Sequence, residues 1–297
     1  MTEKPALCIY HGADLDGQCC GAICQHAFNL RGQEVELLPV DYGDHVPDDE
    51  ITGREVFICD WSFQPWSRFE EVVRLADGVY WIDHHKSAID EYQQRGVPAS
   101  ARVMARLSLD HAACELAWSE FFGDVEMPLG VRLLGRYDVW DHDYSRNVLP
   151  FQYGMRIRDT DPRTNMQLWQ DVVFSWPDRT VLEPIIREGE IILEYEQRKN
   201  ELAVKSSWFP LDFAGLFWQA CNHLGQGSMF FNSVWSPGIF DGVLSFAWRC
   251  NRWTVGLYST HPVIDCGAIA KQYGGGGHPG AAGFQCAELP FELPKRM

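Results

Sequence analysis

Three short apolar runs near the start of the chain, ALCIY, EVFIC and GVYWI, each stop at side chains that bind hard or borderline metal ions. His11, Asp14 and Asp16 follow the first, Asp60 the second, and Asp83, His84 and His85 the third. Residues 7–10, 35–40, 56–59 and 79–82 read as strands, and 17–30 and 66–76 between them as helices. This alternation predicts an α/β domain, a parallel sheet with crossover helices. In such open sheets ligands bind beyond the carboxyl ends of the strands, so the three groups are expected to converge on one cleft. A helix over 111–122 and another ending near Arg136 complete a domain of roughly 170 residues.

A carboxylate after a single strand is most often a helix cap or a turn residue. Three such strand ends together argue for a cation, because His-x-x-Asp-x-Asp crowds anionic groups that a cation would compensate. Two ions held roughly 3.5–4 Å apart need a bridging carboxylate and terminal ligands on each side, and Asp60 is the candidate bridge. The second ion needs one more carboxylate, for which the segment 135–141 offers Asp138 or Asp141. Residue chemistry does not separate these two.

Residues 180–204 form a charged helical pattern in which Pro184 is tolerable only in the first turn, a connecting helix with a solvated face. Beyond Lys205 come short, aromatic-rich β-type runs, 213–221, 242–249 and 253–258, separated by Gly, Pro and Ser. The chain is therefore divided into a metal-binding α/β domain (1–178), a connecting helix (179–205) and a smaller α+β substrate-binding domain (206–297). In the last, Asp265 caps a short helix over 266–273 that Gly274 ends, and the glycines that follow let backbone approach a ligand. Amides in such a loop cradle phosphate. No Gly-Lys-Ser/Thr follows the glycines, which excludes a nucleoside-triphosphate P-loop.

Charge limits the partners. With 41 acidic against 25 basic residues and a net charge of −16, the chain is ill suited to tight, sequence-independent binding of long nucleic acid, although a small anionic substrate is allowed. The ten cysteines include no Cys-x-x-Cys and read as reduced, mostly buried thiols, with Cys19, Cys20 and Cys24 packing a helix rather than ligating a hard ion. No leader or membrane-length apolar run is visible, so a cytoplasmic protein without membrane partners is expected.

The segments His11 to Gly17, Asp60, Asp83-His84-His85, Tyr137-Asp138-Val139-Trp140 and Gly274 to Gly283 resemble, in this order, the motifs of the DHH phosphoesterase superfamily with its DHH-associated C-terminal domain. The match runs from Cys8 to Phe284. The resemblance implies that His11 and Asp14 hold one Mn²⁺ and that Asp16, His84 and Asp138 hold a second. Asp60 would be shared, and Asp138 is thereby selected over Asp141. Co²⁺ or Mg²⁺ is an alternative to manganese. It also implies that Asp83 orients an imidazole, that His85 faces the substrate, and that Gly275, Gly276, Gly277 and His278 bind substrate from the second domain. The nanoRNase members carry an Arg-Ser pair where this chain reads Tyr258-Ser259, and Tyr258 brings no positive charge to clamp a phosphate. Arg249 or Arg252 is a candidate replacement. Trp61, Trp140 and Tyr258 adjoin motif residues and could stack on a base, although core packing is the commoner role for a tryptophan. His142 is close enough in sequence to Asp138 to reach the site.

The activity implied is a Mn-dependent phosphodiesterase that cleaves short oligonucleotides or linear dinucleotides to nucleoside 5′-monophosphates. The other readings are a 3′-phosphoadenosine 5′-phosphate phosphatase, a RecJ-like single-strand exonuclease, which the acidity disfavours, and a manganese pyrophosphatase, whose basic Ser-Arg-Lys-Lys-type motif is missing. From a different class, a nucleotide-sensing module without catalysis is opposed by the full set of expected ligands.

Overall fold

The structure is a computed structural model that describes residues 4–97, 101–175, 180–223, 230, 236 and 238–293. In chain order the elements of the first half are β1 (Ala6–His11), α1 (Leu15–Leu30), β2 (Val35–Val40), α2 (Asp48–Ile51), β3 (Glu55–Cys59), α3 (Trp66–Leu75), β4 (Gly78–Asp83), α4 (Lys86–Arg95) and β5 (Val103–Leu107). They are followed by α5 (Ala113–Phe122), α6 (Leu129–Asp138), α7 (Val148–Met155), α8 (Met166–Trp169) and the long α9 (Leu182–Ser207). The chain divides into two compact units, Met1–Leu193 and Glu194–Met297, with the division inside α9.

The first unit is built on a parallel sheet in the order β2-β1-β3-β4-β5. Its central strands are apolar on both faces, as a sheet covered by helices requires. Alternation along each strand sends Cys8, Tyr10, Phe57 and Cys59 into a core with α1, α5, α6 and α7. Leu7, Ile9, Val56, Ile58 and Trp81 enter a second core, with α3. The strand order reverses at β1, which has β2 on one side and β3 on the other. This switch point is where an open α/β sheet presents its ligand crevice.

The second unit adds β6 (Trp208–Phe213), β7 (Leu216–Asn222), β8 (Gly242–Arg249), β9 (Arg252–Tyr258), α10 (Cys266–Lys271), β10 (Gly276–Gly277) and β11 (Ala281–Cys286). Its sheet runs β10-β11-β9-β8-β7-β6, antiparallel except for the β7–β8 pair, around a core that includes Trp218, Leu244, Phe246, Val255, Leu257 and Phe284. The run expected as one strand over 213–221 is instead the second half of a hairpin. Ala214 (φ 55°) and Gly215 (φ 75°) form its two-residue turn, with Phe213 paired to Leu216. Strands β5, β6, β10 and β11 and helices α2, α4, α7 and α8 were not anticipated.

Candidate metal centre

His11 is the last residue of β1, Asp60 follows β3, and Asp83 ends β4, so three strand termini deliver the expected groups to the sheet's carboxyl edge. Asp60 adopts φ 57°, in the left-handed region that non-glycine residues seldom occupy. Its amide nevertheless donates to the Ile82 carbonyl at 2.9 Å, so the backbone stays paired to β4 as it leaves the strand.

Two triads of ligand-type atoms result. In the first, His11 Nδ1 lies 2.8 Å from Asp14 Oδ2 and 3.6 Å from Asp60 Oδ2. In the second, His84 Nε2 lies 2.9 Å from Asp138 Oδ2 and 3.8 Å from Asp16 Oδ2. The other oxygen of Asp60, Oδ1, is 3.3 Å from the same His84 nitrogen. Within each triad the ligand atoms lie within 4.8 Å of one another, and Asp60, His84 and His85 make a third, overlapping group.

This crowding is electrostatically costly for the protein alone. Burial and the charges of Asp60 and Asp138 push the Asp16 carboxyl well up, and burial and Asp14 push Asp60 up. Burial opposes a charge on either imidazole, yet Asp14 and Asp60 push His11 up to about 11, and Asp138, Asp60 and Asp16 push His84 up to about 12. Despite the short contacts, the buried atoms His11 Nδ1, His84 Nε2 and Asp60 Oδ1 make no hydrogen bond of acceptable geometry among the described residues. Buried polar atoms left this way are expensive unless a ligand satisfies them. A mixed imidazole and carboxylate set with inward-facing orphaned atoms fits divalent cations.

The surrounding elements fix these side chains. Asp14 caps α1, its Oδ1 accepting from the Gly17 amide at 3.0 Å while Oδ2 faces His11. Gly17 is required there, since a Cβ would lie 2.1 Å from the His11 carbonyl oxygen. Asp16 accepts from the first amides of α5, Ala113 N at 2.9 Å and Cys114 N at 2.8 Å, which places a negative charge at a helix N-terminus. Asp138 ends α6, which Arg136 ties to the buried Glu115 of α5. Arg136 also holds Asp141 at 3.5 Å, so it is Asp138 and not Asp141 that reaches His84. Asp83 Oδ1 accepts from the His84 and His85 amides at 2.7 and 3.1 Å and lies 2.7 Å from His85 Nδ1. The imidazole it orients is therefore His85. Burial disfavours the charged His85 ring, but Asp83 and Asp60 outweigh it and push the group up to about 9.

Sequence reasoning missed two residues here. Asp41 and Tyr42 follow β2, a fourth strand ending in a carboxylate. Asp41 Oδ1 is 3.4 Å from His11 Nε2, on the ring nitrogen opposite the triad, and a carboxylate so placed orients a ligating imidazole. The Tyr42 ring lies 5.2 Å from that of His11, and its hydroxyl 3.4 Å from His85 Nε2. The strand 35–40 was legible; what followed it was the available signal.

Of the three aromatic candidates, Trp61 is buried and Trp140 is 54% exposed, with His142 packed between Trp140 and Tyr137. Tyr258, in the second unit, hydrogen bonds with Ser245 and packs on a small core of Val204, Cys221, Phe230 and Val243. Arg249 and Arg252 pair across the turn joining β8 to β9. Six residues of strand, about 20 Å, separate Arg252 from Tyr258. Neither arginine can therefore replace the absent one at Tyr258, contrary to expectation.

The glycine string forms a tight hairpin in which Gly276 pairs with Gly283 and Gly277 with Ala282. A Cβ on Gly275 would lie 2.1 Å from the Gly283 carbonyl oxygen. The His278 amide donates to Ala281 O at 2.8 Å and closes the turn. As expected, Asp265 caps α10, accepting from Ala268 N at 2.8 Å. Burial pushes the Cys20 and Cys114 thiols well up, and neither belongs to the triads. Among the described residues no helix is long and apolar enough to cross a membrane.

No protein-family model matches the chain. Oligoribonuclease NrnB of Bacillus subtilis is 24% identical over 96% of this chain and 74% of its own length. The uncharacterized protein R106 of Acanthamoeba polyphaga mimivirus is 21% identical over 91% of this chain, which spans only 60% of that protein. Among solved structures, the DHH domain of PF0399, a member of the s1p family of ribosomal proteins, superposes with a TM-score of 0.60 at 14% identity, covering 96% of this chain and 83% of that one. The pGpG-specific phosphodiesterase PggH from Vibrio gives 0.55 at 14% identity, over 96% and 94%. Exonuclease RecJ bound to manganese gives 0.51 at 14%, over 95% and 86%. Over nearly its whole length, the chain has the fold of the DHH-domain proteins that its motifs resemble.

Proposed function

We propose that this protein is a two-metal phosphoesterase that hydrolyses short oligonucleotides or linear dinucleotides to nucleoside 5′-monophosphates. The observation that carries the reading is Asp60, whose two carboxylate oxygens face different triads, one headed by His11 and the other by His84. A single carboxylate placed this way suits a pair of ions, with His11 and Asp14 holding one and Asp16, His84 and Asp138 the other. Bound there, two divalent cations would supply the ionised water that attacks phosphorus and the positive charge that stabilises the phosphoryl oxygens. Manganese is favoured by the donor set and by the likeness to RecJ bound to manganese.

The protein's own groups do the rest. Asp41, Asp83 and the α5 amides fix the orientation of His11, His85 and Asp16 before any ligand arrives, which lowers the reorganisation needed during reaction. His85, held by Asp83, is assigned to contact with the substrate. In the second unit, Gly275, Gly276, Gly277 and His278 are assigned to substrate binding, with Tyr258 contributing packing rather than charge. A substrate of dinucleotide size is supported by the relatives, an oligoribonuclease and a pGpG-specific phosphodiesterase, and by the acidity of the chain.

The test is hydrolysis by the purified protein with Mn²⁺ against labelled dinucleotides, longer strands, pyrophosphate and phosphoadenosine phosphate, with products identified by mass spectrometry. Nucleoside 5′-monophosphates released from dinucleotides, and lost on chelation, are expected. Undiminished turnover in excess chelator, or no turnover of any phosphate ester, would remove the proposal.

A further inference from the structure

The end of α6 is built in a way that packing does not explain. Trp140 N donates to Tyr137 O at 3.1 Å and Asp141 N to Arg136 O at 2.8 Å, the paired bonds of a helix ending whose left-handed residue is usually glycine. Here that residue is Trp140, at φ 63°. An L side chain is strained in this conformation, and burial does not compensate the strain, because the residue is 54% exposed.

The indole is braced from one side. Its centroid is 5.3 Å from that of His142, which stacks on Tyr137 at 5.2 Å. Arg156 lies over the Tyr137 ring and donates to its hydroxyl at 2.9 Å. Two residues before Trp140, Asp138 meets His84, and two residues span at most about 7 Å of chain. Strain retained beside a reactive centre points to function more readily than strain elsewhere.

We propose that Trp140 is the nucleobase platform of the site, on whose exposed ring a base attached to the scissile phosphate stacks. The inference rests on the phosphoesterase reading and specifies what that site recognises, namely an aromatic base and not the phosphate ester alone. Stacking of a base on a protein aromatic is sequence-tolerant, so the platform would favour nucleotides over other esters without strong base preference.

Trp140→Gly tests this cleanly, because it deletes the ring and relieves the backbone at once. Expected for the Mn²⁺-loaded full chain are an unchanged or raised Tm, unchanged Mn²⁺ affinity by calorimetry, and a KM for dinucleotide raised about 5- to 150-fold, the range base stacking spans. The kcat should change little, and an abasic dinucleotide should be cleaved equally by both proteins. Trp140→Asn, whose side chain also tolerates the left-handed region, is the second variant should glycine loosen the helix end. An unchanged KM for dinucleotide in either variant, equal losses on the abasic substrate, or a fall in Mn²⁺ affinity would overturn the platform. Were the wild type inactive on all esters, the phosphoesterase reading would fail separately. Calorimetric binding of dinucleotide to the wild type and Trp140→Gly would then decide the platform alone.

Discussion

Asp60 concentrates the argument at the scale of single residues. It is almost fully buried, strained in backbone, and shared by two groups of ligands, so Asp60→Asn keeps its shape while removing the charge that both would use. We expect turnover to fall by roughly 10³-fold or more, comparable to losing a main electrostatic element of a site, and Mn²⁺ stoichiometry by calorimetry to drop below that of the wild type. Full activity in this variant would end the two-metal account. His11 and His84 carry a second expectation. Their metal-free values of about 11 and about 12 lie above the ordinary 6.5 or so, so both rings hold protons at neutral pH. That proton-linked stability is present in full below the ordinary value and lost as pH rises through the folded one. A cation needs the neutral nitrogen, so binding must expel protons, and affinity rises with pH. Mn²⁺ titrations in buffers of different ionisation heat should show net release, up to roughly two protons from these rings. Net uptake would contradict it.

At the scale of elements, α6 explains why the site was only partly legible. Strand-borne groups such as His11, Asp60 and His84 could be read from the sequence because each follows an apolar run that announces its own end. Asp138 could not be separated from Asp141 in that way, because both sit near a helix terminus and only the docking of α6 distinguishes them. That docking depends on Arg136 and the buried Glu115, with Gly135 leaving room: a Cβ there would lie 2.6 Å from Glu115 Cγ. Arg136→Ala strands a buried carboxylate, which costs about 3–5 kcal/mol when a buried pair is broken. On the proposed two-metal reading it should also weaken the ion assigned to Asp138 more than the one assigned to Asp14. Chemical denaturation and a Mn²⁺ titration together check this, and equal weakening of both ions would show that α6 does not set the second site. Two of the missed strands have a similar cause. β6 and β5 are edge strands, where Pro210 and exposed Met104 are tolerated because pairing occurs on one side only. Their sequences therefore lack the apolar continuity of β1 and β3. The fold class was legible from the alternation of strands and helices, whereas the β6–β7 turn depended on left-handed conformations at Ala214 and Gly215 that composition does not announce.

For the whole molecule, charge and site size bear on substrate length. A protein that tracks a long strand needs a positive groove or a series of stacking platforms beyond the reacting phosphate. Here 41 acidic side chains outnumber 25 basic ones. The basic groups that the structure describes near the site, such as Arg136 and Arg156, are already engaged with Glu115 and with Tyr137. The platform proposed at Trp140 would serve one base, not a run of them. Local positive charge would then come mainly from the bound cations, which act on the scissile phosphate and not along a strand. We therefore expect kcat/KM to fall steeply from two- to five- to twenty-nucleotide substrates at fixed salt. The dependence of KM on salt for the dinucleotide should be shallow, since few protein cations would displace counterions. Values that stay level or rise with length would instead assign the protein to exonucleases of long single strands.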